Sequence, residues 1–248
     1  MSTAWTFGAA ALRYDTLRPP YPAATFSTLE RAIGSYEGSR VVEVGAGTGI
    51  ATQGLVAAGA DVLALEPDPG MGRILRRRLP TVRMVPARLE DVDLEGVHLL
   101  VGFQSLHWIP VRALWRAARR ALAPGGVLAG VWQLATLSDV RAAHAIGEVL
   151  ARFGVERSRG SDQRVSDTIE ALSDQAVHGF APAMRCELPW HTQRSATSFA
   201  GLLATMSDLL ALGHEGADCE AQLAEALRPY EPIDVRYDCV VIMRQRMP

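Results

Sequence analysis

Short, unbroken apolar runs alternate along the chain with longer stretches whose apolar positions recur every three or four residues. That alternation of buried strands and amphipathic helices is the pattern of an open α/β sheet. The runs at 41–44, 61–65, 82–85, 97–103 and 127–132 are rich in Val and Leu and predict buried parallel strands. Helical spacing predicts intervening helices at 50–59, 69–79 and 111–122, the first stopping at Gly59 and the second carrying Arg73, Arg76, Arg77 and Arg78 on a solvated face. Further on, the pattern predicts a helix over 138–153, a polar connection over 154–168 and a helix over 168–178. A sixth strand over 184–192, two amphipathic helices within 195–228 and a seventh strand over 233–243 follow. Near the start, Pro19, Pro20 and Pro22 separate two short helices within 7–30.

The first strand runs straight into Gly45, Gly47 and Gly49, and the second ends in Glu66-Pro67-Asp68. Glycines at alternate positions let the backbone turn with positive φ and leave no Cβ between the chain and a docked ligand, ahead of a helix that begins near Ile50. A carboxylate at the tip of the second strand, 21 residues past Gly45, is placed to accept both hydroxyls of a ribose. Nicotinamide enzymes share that feature. Their fingerprint is G-x-G-x-x-G, however, whereas this stretch is G-x-G-x-G with Ile at position 50.

The stretch Glu43-Val44-Gly45-Ala46-Gly47-Thr48-Gly49 resembles the first motif of the class I S-adenosylmethionine (SAM) dependent methyltransferases. Four further stretches resemble the same family in the expected order. They are Tyr14, Arg18, Pro19 and Tyr21-Pro22 as a lid segment, Pro86 to Asp91 after the third strand, the FQSLHWIP segment after the fourth, and the turn Leu122-Ala123-Pro124-Gly125-Gly126. The HWIP segment is similar to the group that includes trans-aconitate methyltransferase-like enzymes. The resemblance implies a Rossmann-like, seven-stranded, mostly parallel sheet with helices on both faces and a helical cap inserted before the last strands. It implies one SAM-binding domain over 1–248, with lid helices in 1–38, a cofactor-binding half in 39–137 and a substrate-covering region within 138–232.

Residue by residue, the resemblance implies that Glu43, Gly45, Ala46 and Gly47 line the amino-acid and ribose portions of SAM. It implies that Glu66, Pro67 and Met71 flank the ribose and that Arg88, Leu89 and Glu90 pass the adenine, with Leu89 in a position usually held by Ala. Phe103 and Gln104 close the strand-four side, and Tyr14 packs over the methionine end. Trp108 and Tyr21 are the expected substrate contacts. His107 is the histidine placed at the ligand edge of the sheet, so it is either a general base, in which case the rate would rise through an apparent pKa between 6 and 8, or a structural histidine that hydrogen-bonds the cofactor or the following turn.

Composition narrows the chemistry. All 25 basic residues are arginine, and there is neither lysine nor asparagine, which excludes a P-loop lysine, a Schiff-base lysine and an N-glycosylation acceptor. A net charge of −2 lacks the basic excess that a phosphate backbone needs, so nucleic acid is not an expected partner. Cys186, Cys219 and Cys239 are widely spaced, arguing against a disulfide framework and a metal site and for a reducing cytoplasm. The amino-terminal MSTAWTFGAAALRYD has no basic segment followed by an apolar core, and no long apolar run occurs, so neither export nor a membrane span is expected. The expected function is methyl transfer from SAM to a small organic metabolite, by a monomer or homodimer. The alternatives are a nicotinamide-dependent oxidoreductase and a SAM-binding protein without transfer activity.

Overall fold

A computed structural model describes residues 11–155, 159–173 and 176–248. The expectations that fall on 1–10, 156–158 and 174–175 lie outside the described residues. Strand β1 (Arg40–Val44) sits at the centre of the fold, buried on both sides. It pairs in parallel with β2 (Asp61–Leu65) on one flank and with β4 (Val97–Phe103) on the other, while β3 (Arg83–Val85) extends the sheet beyond β2. β5 (Leu122–Leu137) lies parallel to β4, and β7 (Ile233–Gln245) and β6 (Met184–Arg194) complete the seven-stranded order β3-β2-β1-β4-β5-β7-β6. The chain therefore winds outward to β3, then crosses back to β4. The crevice where the winding reverses opens at the C-terminal ends of β1 and β4.

Alternation along β1 assigns the two faces. Val41 points into a core layer built from Phe26 and Leu29 of α2 (Ala23–Ile33) and from Ala51 and Leu55 of α3 (Ile50–Ala57). Val42 and Val44 point into the opposite layer, filled by Leu114, Trp115 and Ala118 of α5 (Val111–Ala121) and by the wholly buried Trp132. Helix α4 (Pro69–Arg78) turns Leu75 onto Ala46 and Ala64, and its arginines form the exposed side.

Contacts separate two compact units. One contains Pro20–Gln133, Arg164–Leu188 and Cys239–Pro248 and holds the parallel strands; the other falls within Met1–Pro19, Leu134–Gln163 and Pro189–Asp238. The second unit contains α1 (Ala11–Leu17), α6 (Val140–Arg152), α8 (Ala196–Ala204), α9 (Ser207–Leu210) and α10 (Gly216–Leu227). Its core gathers Ile146 and Leu150 of α6, Phe199 of α8, and Leu223 and Leu227 of α10 around Val235 and Tyr237.

Three local expectations change. The predicted turn at 123–126 belongs to β5, because Gly125 donates to Arg246 O (2.9 Å) and accepts the strand into a pairing that only the distant end of the chain supplies. The stretch expected as a polar connection becomes α7 (Arg159–Ser173). Gly160, Ser161 and Asp162 are weak helix formers, but Val165, Ile169 and Leu172 fall on one helical face and pack into the Trp115 layer. Within 195–228 three helices stand where two were expected, the break after α8 coming where Met206 turns extended.

Among the described residues no helix is long and apolar enough to cross a membrane. The junction of α2 and α3 offers a direct test of packing. A Cβ at Gly54 would lie 2.0 Å from the Phe26 ring. Intrinsic propensity favours alanine in a helix by ~1 kcal/mol, whereas overpacking a core costs ~1–3 kcal/mol. Gly54→Ala is expected to lower unfolding free energy in urea titrations; a rise would refute this account of the contact.

Candidate functional site

The glycine loop closes onto the tip of β2. Gly45 and Ala46 both donate to Leu65 O (2.8 and 3.0 Å), and Gly49 donates back to Ala46 O (3.0 Å) before α3 begins. Gly45, Gly47 and Gly49 have φ of +66°, +60° and +85°, a left-handed run that side chains resist. Crowding adds to this at Gly45, where a Cβ would meet Ser105 Cβ at 2.7 Å; at Gly47 the same position faces open space. Ser105, at the end of β4, donates its hydroxyl to Val44 O and so ties the two crevice strands together.

Glu66 crosses from β2 to the loop. Its Oε2 accepts from Gly47 N–H and its Oε1 from Asp68 N–H, each at 2.7 Å. Asp68 in turn caps α4, its Oδ1 accepting from Gly70 (2.7 Å) and Met71 (3.0 Å). Burial raises the Glu66 carboxyl above the usual carboxylate range, and the two backbone donors pull it part of the way back. Beneath the loop, Glu43 is 1% exposed. Burial pushes it up to about 8; the Thr52 hydroxyl offsets part of this, and the charge on Glu66 adds to it. Glu43 is therefore neutral at pH 7, and its Oε2 and the Thr48 hydroxyl are buried without hydrogen-bond partners.

At the tip of β4, Gln104 holds a φ of +52°, the one non-glycine residue with positive φ among those described. A backbone outlier at a crevice mouth is characteristic of a constrained site. Its amide nitrogen donates to Val131 O (2.8 Å) and its side chain to Gln133 O (3.0 Å). Leu106–Trp108 form a 3₁₀ turn in which His107 Nδ1 accepts the indole N–H of Trp132 (3.4 Å). Burial, with a smaller push from the Arg164 charge, lowers His107 to about 4. The Arg164 guanidinium lies over the Trp108 ring at 4.8 Å.

The structure brings together Glu43, Gly45, Ala46, Gly47, Glu66 and Pro67, with Gln104 at the neighbouring strand tip. Phe103 packs edge-on against Tyr21 (4.8 Å between ring centroids). Leu89 differs from expectation: it is 2% exposed and belongs to the core layer of Val42, so its side chain is consumed by packing, while Arg88 and Glu90 beside it are exposed. Met71 is likewise buried. Tyr14 lies in the other unit, its ring under Arg18 at 4.8 Å. Burial disfavours the His107 imidazolium and holds it at about 4, below the 6 to 8 that the base reading requires.

Sequence reasoning gave no role to Ser105 or Asp68. Asp68 carried a readable signal, an acidic residue immediately before Pro69 at a helix start. Ser105 carried none, since its partner Val44 is remote in sequence. Among the described residues no group of three or more His, Cys, Asp and Glu is placed to hold a metal ion.

The sheet order, with its crevice at the β1/β4 reversal, is that of a doubly wound α/β fold. Residues 41–126 match the family model described as a methyltransferase domain. An uncharacterized methyltransferase of Mycobacterium tuberculosis is 36% identical over 154 residues, 60% of this chain and 60% of that protein, so the chain spans about three fifths of this relative. An uncharacterized methyltransferase-like protein of Schizosaccharomyces pombe is 25% identical over 214 residues, covering 85% of this chain and 80% of its own. Among solved structures, one from Anaeromyxobacter dehalogenans, provisionally assigned as a type II methyltransferase, superposes with a TM-score of 0.67 at 25% identity over 93% of this chain and 99% of that one. A SAM-dependent methyltransferase from Thiobacillus denitrificans, solved with S-adenosylhomocysteine, shares the fold with a TM-score of 0.51 at 13% identity, covering 93% and 94%. Residues 41–126 are thus similar to a methyltransferase domain, and the fold is shared with methyltransferases of known structure.

The electrostatics of Glu43 give a signed prediction. Its folded pKa lies above its unfolded value of 4.5, so the folded state keeps a proton that the unfolded chain releases. Stability from this group is full below about 4.5 and is lost as pH rises through 8. Glu43→Gln removes the titration. Its stability relative to wild type is expected to rise by on the order of 1 kcal/mol per pH unit across that window, read from melting curves at pH 5.5, 7 and 8.5; a pH-independent difference would contradict it.

Proposed function

We propose that the protein is a SAM-dependent methyltransferase that methylates a small organic acceptor. The observation that carries this reading is Glu66, anchored by Gly47 and Asp68 N–H groups at the mouth of a left-handed glycine loop. Each of its oxygens keeps a lone pair after accepting one backbone donor, which suits two neighbouring hydroxyls. The orphaned Glu43 and Thr48 oxygens under the loop fit a polar ligand group or a water held by it. When bound, SAM supplies an electrophilic methyl group on a sulfonium centre. The chain's own tasks are then to hold, orient and desolvate the reactants and to manage one proton.

Gly45, Ala46 and Gly47 present backbone rather than side chain to the ligand, and Gln104 keeps the β4 tip in a fixed turn. His107 is assigned as a positioning donor. Because Nδ1 accepts from Trp132, the neutral ring carries its proton on Nε2, which points to donating a hydrogen bond and not to abstracting a proton. A small acceptor, as opposed to nucleic acid, is supported by the net charge of −2 and the absence of lysine. Three free cysteines suit a reducing cytoplasm.

Titration of S-adenosylhomocysteine and, separately, NAD onto the protein tests the cofactor. Saturable binding of S-adenosylhomocysteine alone is expected, and preference for NAD would overturn the reading. Glu66→Ala removes charge-assisted hydrogen bonds of ~1.5–3 kcal/mol each, so affinity is expected to fall at least about tenfold. Unchanged affinity in a folded Glu66→Ala protein would remove Glu66 from the site. For His107, kcat is expected to be flat from pH 6 to 8 and His107→Gln, which retains an N–H donor, to stay within about tenfold of wild type. A loss of ~10²–10⁴, the range for removing a general base, would restore the base role.

A further inference from the structure

We propose that the helical unit carries an oxyanion-binding subsite formed by Arg18, Arg194 and Tyr237, for a carboxylate or phosphate group of a small molecule. Arg194, at the end of β6, is held in place at two of its three nitrogens. One donates to Leu17 O (3.0 Å) and another to Ser198 Oγ (3.2 Å). The first of these bonds sets the guanidinium against the peptide that leads into Arg18. Arg18 itself is fixed by its stack over the Tyr14 ring at 4.8 Å. After these contacts each arginine keeps its Nε–H, and both Nε atoms are buried without a hydrogen-bond partner.

Tyr237 brings the third donor. Its ring stacks on Trp190, with centroids 4.7 Å apart and planes inclined by 15°. The residue is 3% exposed, and its hydroxyl is buried with no acceptor for its proton. Burial raises the phenol, and the charges of Arg194 and Arg18 together with a hydrogen bond from Arg194 partly counter that rise, so the three groups share one neighbourhood. Buried polar groups are nearly always satisfied, so three convergent donors without acceptors ask for one acceptor-rich partner. Two Nε–H groups and a phenol O–H suit an oxyanion, which accepts all three and offsets the two positive charges. On the methyltransferase reading the ligand is the acceptor, and that identification rests on the function proposed above; the anion binding does not.

Calorimetric titration of the full chain with succinate, benzoate and inorganic phosphate, against sodium chloride at matched ionic strength, tests the subsite. One-to-one saturable binding of a carboxylate or of phosphate is expected, and the two arms identify which oxyanion the site takes. Arg194→Gln and Tyr237→Phe are each expected to weaken it at least tenfold. Arg13→Gln, which breaks only the ion pair to Glu220 at 2.5 Å on the same unit, is expected to leave it unchanged. Should Arg194→Gln fail to fold, Tyr237→Phe carries the test. It keeps the ring stacked on Trp190, so the fold is expected to hold while binding falls. Absence of saturable binding by every probe, equal weakening by Arg13→Gln, or full binding by Tyr237→Phe would overturn the proposal. Parallel titration with S-adenosylhomocysteine separates the two readings: a protein that binds the nucleoside and no oxyanion defeats this inference alone, and one that binds an oxyanion and no nucleoside defeats only the methyltransferase reading.

Discussion

A single buried carboxylate joins two loops that leave different strands. Glu66 sits at the tip of β2 and accepts from Gly47 in the loop that leaves β1, so the loop's left-handed conformation and the position of the acid are one constraint. The same carboxylate accepts from Asp68, whose own side chain caps α4. Loop, strand tip and helix start are therefore coupled through charge-assisted hydrogen bonds in a poorly hydrated place, where such bonds are strong and their loss is costly. On the other side, Ser105 fastens the end of β4 to Val44, and Gly45 is small because Ser105 occupies the space a Cβ would need.

The polar groups beneath this framework are unusual for a sheet interior. Glu43 lies in a strand whose other members are valine and arginine, and it stays neutral because ionisation in that setting would be opposed by burial and by the charge on Glu66. A proton there removes the repulsion that two adjacent carboxylates would otherwise bring. The same logic applies at the β4 tip. His107 is kept neutral by burial and oriented by the Trp132 indole, which makes it a fixed hydrogen-bonding group rather than a titrating one.

The helical unit follows a different plan. Its core runs from α6 through α8 and α10 and includes Tyr237, on whose ring the partly buried Trp190 stacks. Polar side chains there are few and directional, and the arginines are held by backbone and hydroxyl partners before any ligand is considered. Preorganised donors of this kind favour recognition through geometry more than through net charge.

Local pattern alone determined much of this protein. The β-branched run at 41–44, the alternate glycines after it and the acid closing the second strand are short-range features, and each reports a backbone need that is met within a few residues. Hence β1, β2 and β4 and the placing of Gly45, Gly47 and Glu66 at one crevice were legible. Tertiary structure decided the rest, where a residue's fate depends on a partner far away in the chain. Gly125 became strand because Arg246 pairs with it, and 159–173 became helix because Val165, Ile169 and Leu172 found a core to enter. Leu89 was absorbed into that core. His107 lost its ordinary basicity to burial, which no spacing in a sequence encodes, because the free energy of a charge depends on all the matter around it in space.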